Sequence, residues 1–324
     1  MGSFLGIRNL KVSFKTFEGT KNVIDLEALS IQKGETFGLV GESGAGKSVL
    51  AYSILKLLSS PPAIISGDAV ELDGDNLLAK NERDMMNIRG RKVSMIFQDP
   101  MSSLNPVFTI GDQLSNVLRK NRRLSGKALK QEVEAMLKLV QLPDPVQSAR
   151  KYPHELSGGQ RQRVIIALAL SCDPQFLIAD EPTRNLDVTI QAQILKLIVE
   201  LQRKMNVTIL YIANNPELVS SICDKMGVLH RGRLIEVGSV KSVMSNPLHP
   251  YTSILLHTDS KETDGTAREA PGEVSMEDWS QLTGCRFVNQ CRCIVEDCKM
   301  GIPTLKQVAD DHYVACHYVT GRVG

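Results

Sequence analysis

Long apolar runs are missing from this 324-residue chain. The longest, Val164 to Leu170, falls far short of the roughly 20 residues that a spanning helix needs. Any membrane association is therefore expected to come through a partner. An excess of charge is missing too. A formal net charge of +2 leaves no basic footprint of the kind that nucleic-acid binding requires. The start, Met1-Gly2-Ser3-Phe4, lacks a basic segment running into an apolar one, so no secretory signal is visible, and the myristoylation pattern is not met. The expectation is a cytosolic chain. Cysteine is scarce over most of the length: Cys172 and Cys223 stand alone, whereas Cys285, Cys291, Cys293, Cys298 and Cys316 crowd the end. That asymmetry predicts a separate Cys-rich C-terminal module over 281–324. No internal repeat stands out.

What the chain has is ordinary globular composition, with 42% apolar and 23% charged residues, and length for one large core or two domains. Ile7 to Phe17 and Val23 to Ile31 read as strands around a turn at Gly19. Thr36 to Val40, Val93 to Phe97, Phe176 to Asp180 and Val207 to Ile212 read as short buried strands. Helices are expected at Ser48 to Leu58, over much of Thr109 to Ala149, and at Ile190 to Arg203. In the middle stretch Leu129, Val133, Met136, Leu137 and Val140 fall on one face. Strands alternating with helices predict a parallel α/β core, with the helical block at about 100–172 as an insertion. The polar stretch 257–280 reads as a linker.

Gly41-Glu42-Ser43-Gly44-Ala45-Gly46-Lys47-Ser48 matches the phosphate-loop pattern GxxxxGK[ST] in full, between a predicted strand and a predicted helix. Such a loop points free backbone N–H groups at phosphates from a helix N-terminus. Lys47 would reach the β- and γ-phosphates and the Ser48 hydroxyl would bind Mg²⁺. Asp180 and Glu181 end an apolar strand, at the carboxyl edge where α/β sheets bind ligands. Alone this pair reads as a solvated turn just as readily. Beside a phosphate loop, Asp180 becomes a Mg²⁺ holder and Glu181 the group that orients or deprotonates the attacking water. Leu156-Ser157-Gly158-Gly159-Gln160 opens a further helical run, a second anion clamp with a Ser hydroxyl and free N–H groups.

This second loop resembles the signature of ATP-binding cassette (ABC) ATPases, and the resemblance extends over residues 4 to 256. It implies a P-loop NTPase fold with an inserted helical subdomain, in a cassette spanning 1–256. Gln98, in Ile96-Phe97-Gln98-Asp99-Pro100, matches the glutamine loop that touches the metal site. Asp187, in Asn185-Leu186-Asp187, matches the loop that crosses to the opposite cassette, and Phe14 the aromatic that stacks on adenine. By this resemblance ATP is bound by Phe14, Gly41, Ser43, Gly44, Ala45, Gly46, Lys47, Ser48 and Val49. Ser48, Gln98 and Asp180 hold Mg²⁺, while Ser157, Gly158, Gly159, Gln160 and Asp187 complete a partner's site. Phe97 to Pro106 and Asn246 to Thr252 are similar to the oligopeptide, dipeptide and nickel importers, and the chain looks like their D-type ATPase. The partners so implied are a non-identical F-type ATPase in a heterodimer, two transmembrane permease subunits and a substrate-binding protein. The implied location is peripheral, on the cytoplasmic face of the membrane. A metal-chelate cargo and a mainly regulatory or redox-sensing role stay open as alternatives.

Two departures and one cluster complete the reading. The subgroup carries Thr-His-Asp after the last core strand, the His contacting the γ-phosphate, where this chain has Ala213-Asn214-Asn215. Loss of such a positioning group typically costs on the order of 10² to 10³ in rate, so Asn214 predicts slow hydrolysis at an otherwise intact ATP site. Arg184 stands where relatives have a small polar residue, and Asn185 replaces an alanine. Cys285, Cys291, Cys298 and Cys316 follow one another with five, six and seventeen residues between them. In a cytosolic chain such thiols more often bind metal than form disulfides, and four thiolates suit Zn²⁺ or an iron–sulfur cluster. The resemblance implies a [4Fe–4S] cluster on these four. Cys293 stands where relatives usually have proline.

Overall fold

A computed structural model describes residues 3–99, 103–257 and 283–321 of the chain. Most of the expected linker over 257–280, and Pro100, Met101 and Ser102 of the glutamine-loop motif, lie outside the described residues. The chain forms two compact units, Met1–Lys80 together with Tyr211–Gly324, and Asn81–Leu210.

The first unit begins with an antiparallel ladder between β1 (Leu5–Thr16) and β2 (Gly19–Ile31). Leu5, Ile7, Leu10 and Val12 of β1 are buried while Arg8 and Lys11 face out, the alternation that fixes register when one face is covered. The other edge of β1 pairs with β4 (Ala63–Ser66) and β5 (Ala69–Leu72), and β5 pairs with the short β6 (Asp75–Asn76). β3 (Thr36–Val40) is buried at all five positions and runs into the phosphate loop, which opens α1 (Lys47–Ile54). β10 (Lys225–His230) lies parallel to β3 and antiparallel to β11 (Arg233–Ser239). α8 (Pro216–Ile222) packs so closely on β3 that a Cβ on Gly38 would stand 2.0 Å from Val219 Cγ1.

The second unit opens with α2 (Glu82–Ile88) and contains β7 (Val93–Ile96) parallel to β8 (Phe176–Asp180). Between them lie the expected helices α3 (Ile110–Arg122), α4 (Gly126–Leu139), α5 (Pro145–Arg150) and α6 (Gly158–Leu170). Leu129, Val133, Met136, Leu137 and Val140 are all buried, as their spacing requires. The stretch is not continuous helix: Arg123 at φ 55° and Asp144 at φ 41° turn the backbone, and the Asp144 side chain caps α5. α7 (Val188–Met205) is capped by Asp187 and stopped by Asn206 in the left-handed region. β9 (Thr208–Ala213) carries the chain back to the first unit.

The separate C-terminal module expected from cysteine crowding does not form. β13 (His312–Val314) pairs with β11, and β12 (Lys306–Ala309) with β13, so the chain end extends the strand row β12-β13-β11-β10-β3. The physical reason is Glu236 on β11, fully buried, which no exposed module boundary would tolerate. Its carboxylate accepts the N–H groups of Leu248 and His249 and faces His312 Nε2, each at 2.8 Å. One side chain thus ties together β11, the Asn246–Thr252 segment and β13. Beside it Phe287 meets His230 and Tyr251 edge-on, with ring centroids 5.5 and 5.6 Å away. Arg286 reaches Asp25 on β2 at 2.6 Å.

Replacing Glu236 by Ala leaves two buried N–H groups and a buried imidazole without their acceptor. Urea unfolding should show a loss of about 3 kcal/mol or more, with Glu236→Gln losing less because its amide oxygen still accepts. Burial pushes His230 down to about 3 and His249 to about 4 from an ordinary 6.5. Both are neutral in the fold and take up protons first when unfolded. Their stabilisation is complete above about pH 6.5 and is lost as pH falls toward 4, with a slope of about 1.4 kcal/mol per pH unit for each. His249→Asn, which keeps an acceptor for the Tyr251 N–H, should unfold with a shallower pH dependence between pH 6.5 and 4.5.

Candidate functional site

In the first unit the phosphate loop is shaped by close backbone approach. A Cβ on Gly41 would stand 2.2 Å from the Leu229 carbonyl oxygen. Gly46, at φ +106°, has room for none either: its Cβ would meet Ile24 Cδ1 at 2.7 Å. The Gly232 N–H donates to the Ala45 carbonyl at 2.8 Å, closing the loop against the turn after β10. Gly46 precedes α1, and no side chain caps that helix, the kind of helix start that attracts anions. Ser43 and Gly44 are exposed at the rim, Ala45 is buried, and Ser48 and Val49 are half-buried on the first turn. Phe14 is half-buried on β1, opposite Lys21 and Ala63. A small-residue loop, an uncapped helix start and a buried lysine fit the phosphates of a nucleotide.

That lysine, Lys47, is 5% exposed. Its ammonium donates to Gly41 O at 2.7 Å, Glu42 O at 2.8 Å and Asn214 Oδ1 at 2.7 Å. Lysine has no acceptor, so the Asn214 amide is fixed with its oxygen toward Lys47 and its NH₂ turned away. The next residue, Asn215, accepts the Glu217 N–H at 2.7 Å and caps α8. Tyr251 was not legible as a site neighbour, although it lies in a segment with a recognisable pattern. Its hydroxyl accepts the Glu42 N–H at 3.2 Å, and its buried ring lies 4.3 Å from that of His230. Burial raises both the Glu42 carboxyl and the Tyr251 phenol above their ordinary values.

In the second unit Asp180 is fully buried at the end of β8. Glu181 follows in the left-handed region at φ 45°, a conformation that costs free energy for a residue with a Cβ. Gln98 Nε2 donates to Glu181 Oε2 at 3.0 Å. Arg184 Nη1 donates to the same oxygen at 3.3 Å. Ser157 and Gln160 close a reciprocal cap on α6: Ser157 Oγ accepts the Gln160 N–H, and Gln160 Oε1 accepts the Ser157 N–H. The Ser157 oxygen thus accepts from its own helix, which leaves its O–H as the donor an anion would meet. Gly159 is pinned, since a Cβ there would stand 2.6 Å from Ile190 Cγ2. Exposed Asp187 caps α7 by accepting the Ile190 N–H at 3.0 Å.

The terminal cysteines are neighbours. The Cys285 N–H donates to the Cys298 carbonyl at 2.8 Å. Burial pushes the Cys285 thiol up to about 11, and repulsion from Cys298, Cys316 and Cys291 adds to it. Burial also raises Cys291 and Cys316. Among the described residues no three His, Cys, Asp or Glu side chains are arranged to hold a metal ion. The described residues therefore give no support to the [4Fe–4S] cluster that the resemblance implied on Cys285, Cys291, Cys298 and Cys316. Also among the described residues, no helix is long and apolar enough to cross a membrane.

Residues 26–184 match the ABC transporter family, and residues 235–298 match the oligopeptide/dipeptide transporter C-terminal region. The chain is 41% identical to the dipeptide transport ATP-binding protein DppD of Bacillus subtilis, over 98% of this chain and 95% of that one. It is 43% identical to the oligopeptide transport ATP-binding protein OppD of the same organism, over 78% and 70%. Among solved structures, the dimeric ATP-binding cassette MJ0796 bound to ADP and Pi is similar, with a TM-score of 0.65 at 25% identity, over 73% of this chain and 98% of that one. A phosphate loop closed around its lysine, a signature loop capping its helix, and relatives aligned almost end to end lead to one conclusion: the chain belongs to the ABC transporter ATP-binding proteins, and is an ATPase of the kind that carries an oligopeptide/dipeptide C-terminal region.

Proposed function

We propose that this chain is the ATP-hydrolysing subunit of a binding-protein-dependent importer of oligo- or dipeptides, and that its own ATP site binds well but turns over slowly. The peptide cargo is supported by the names of its relatives and by the C-terminal region that it shares with them. In this reading it acts at the cytoplasmic face of the membrane with a second, non-identical cassette, two permease subunits and a substrate-binding protein. Phe14 stacks on adenine, and the loop N–H groups with Lys47 bind the phosphates. Ser48, Asp180 and Gln98 would hold Mg²⁺, which when bound offsets charge on the phosphoryl group being transferred. Glu181 takes a proton from the attacking water. Ser157, Gly158, Gly159, Gln160 and Asp187 serve the other cassette's nucleotide.

The observation that carries the slow-site part is the 2.7 Å bond from Lys47 to Asn214. Lys47 has to exchange that bond for phosphate oxygens. Asn214 then presents an amide oxygen where relatives carry an imidazole, and an amide oxygen repels a γ-phosphate oxygen. Only its NH₂ can donate, on a shorter side chain that carries no charge. Phe14, Ser48 and Asp180 are untouched by this change, whereas alignment of the water and γ-phosphate is weakened.

In the assembled transporter, Asn214→His should raise single-turnover hydrolysis at this chain's site by about 10²-fold with little change in ATP affinity. A wild-type site that already turns over as fast as the variant would contradict the reading.

A further inference from the structure

We propose that Arg184 is a positioning residue that restrains Glu181 and slows hydrolysis at this chain's own site, independently of Asn214. The inference rests on the ATPase reading above. An arginine in a loop is ordinarily a solvated charge, and half of this side chain is exposed. Its setting is different. The Arg184 N–H donates to the Glu181 carbonyl at 3.0 Å, and Glu181 sits at φ 45°. That turn brings the guanidinium back over the carboxylate, whose side chain is only 12% exposed. Gln98 and Arg184 then converge on the same oxygen, Oε2, at 3.0 and 3.3 Å. Thr183, buried just before Arg184, accepts the Leu186 N–H at 3.3 Å, so the turn is held on both sides.

In hydrolysis the water oxygen bonds to the γ-phosphorus as the bridging P–O bond to ADP breaks, and the water proton passes to Glu181. A carboxylate oxygen that already accepts two hydrogen bonds, one from a cation, is less able to swing toward the water. The neutral Gln98 bond alone would orient Glu181 without opposing its charge. Arg184 adds the cation, and the sequence places it where relatives have a small polar residue that could not.

The test is single-turnover hydrolysis in the assembled transporter, with the second cassette's catalytic carboxylate replaced so that only this chain's site turns over. Arg184→Ser and Arg184→Lys are compared in the wild-type and Asn214→His backgrounds. Arg184→Ser should raise the rate constant about 2- to 5-fold in both, the size that a half-exposed ion pair supports, with ATP affinity unchanged. Arg184→Lys should stay near the parent. Raising salt from about 50 to about 500 mM, which shortens the screening length severalfold, should narrow the gap between Arg184→Ser and its parent. The proposal fails if Arg184→Ser leaves the Asn214→His rate unchanged or lowers it, or if Arg184→Lys is as fast as Arg184→Ser. Failure of Asn214→His to accelerate its parent sinks the slow-site reading alone, since the Arg184 comparison is made within each background.

Discussion

The ammonium of Lys47 is the constraint around which the first unit is organised. A buried positive charge needs its hydrogen bonds made, and here three oxygens make them, two from the phosphate loop and one from Asn214. The loop can wrap its own lysine because Gly41 and Gly46 lie too close to neighbouring groups for any side chain. That close packing draws in the Leu229–Gly232 turn, and behind it Arg231, whose guanidinium meets the Arg286 carbonyl at 3.2 Å. Tyr251 adds a second support by accepting the Glu42 N–H. The C-terminal segment, through Phe287 against Tyr251, is therefore part of the packing that holds the nucleotide loop.

Both units show the same pattern at a residue of the proposed machinery. Lys47 is satisfied by Asn214 in the first, and Glu181 by Gln98 and Arg184 in the second. Each bond supplies a partner that nucleotide or water would otherwise supply, so each has to be exchanged before chemistry. Asn214 and Arg184 are also among the positions where the sequence was expected to depart from the subgroup it resembles. Their partners give those departures a physical meaning in the proposed reading, where one would weaken alignment of the γ-phosphate and the other would restrain the base.

Local patterns were legible in the sequence where local forces decide. Thr36–Val40 and Phe176–Asp180 form as read, because an apolar run bounded by turn residues has few alternatives. The phosphate loop, the Ser157–Gln160 loop and the buried face of Leu129 to Val140 follow from spacing alone. α1 ends at Ile54 rather than Leu58, because Lys56 turns at φ 50° to reach the carbonyls of Leu78 and Lys80. No local signal announces that contact. The C-terminal reading failed for the same reason: pairing of Glu236 with Val314 joins residues far apart in the chain, and thiol counting says nothing of where thiols point. Asn214 and Arg184 were legible as oddities, but their partners were not.

The central claim, a site that holds ATP without consuming it at the partner's pace, is tested most directly by asking which nucleotide occupies each cassette during turnover. Purified transporter supplied with peptide-loaded binding protein would be photo-crosslinked with azido-ATP labelled on either the α- or the γ-phosphate, and the subunits separated. The account predicts that this chain keeps most of its γ-label relative to α-label while the second cassette loses it. Equal loss of γ-label from both subunits would contradict it.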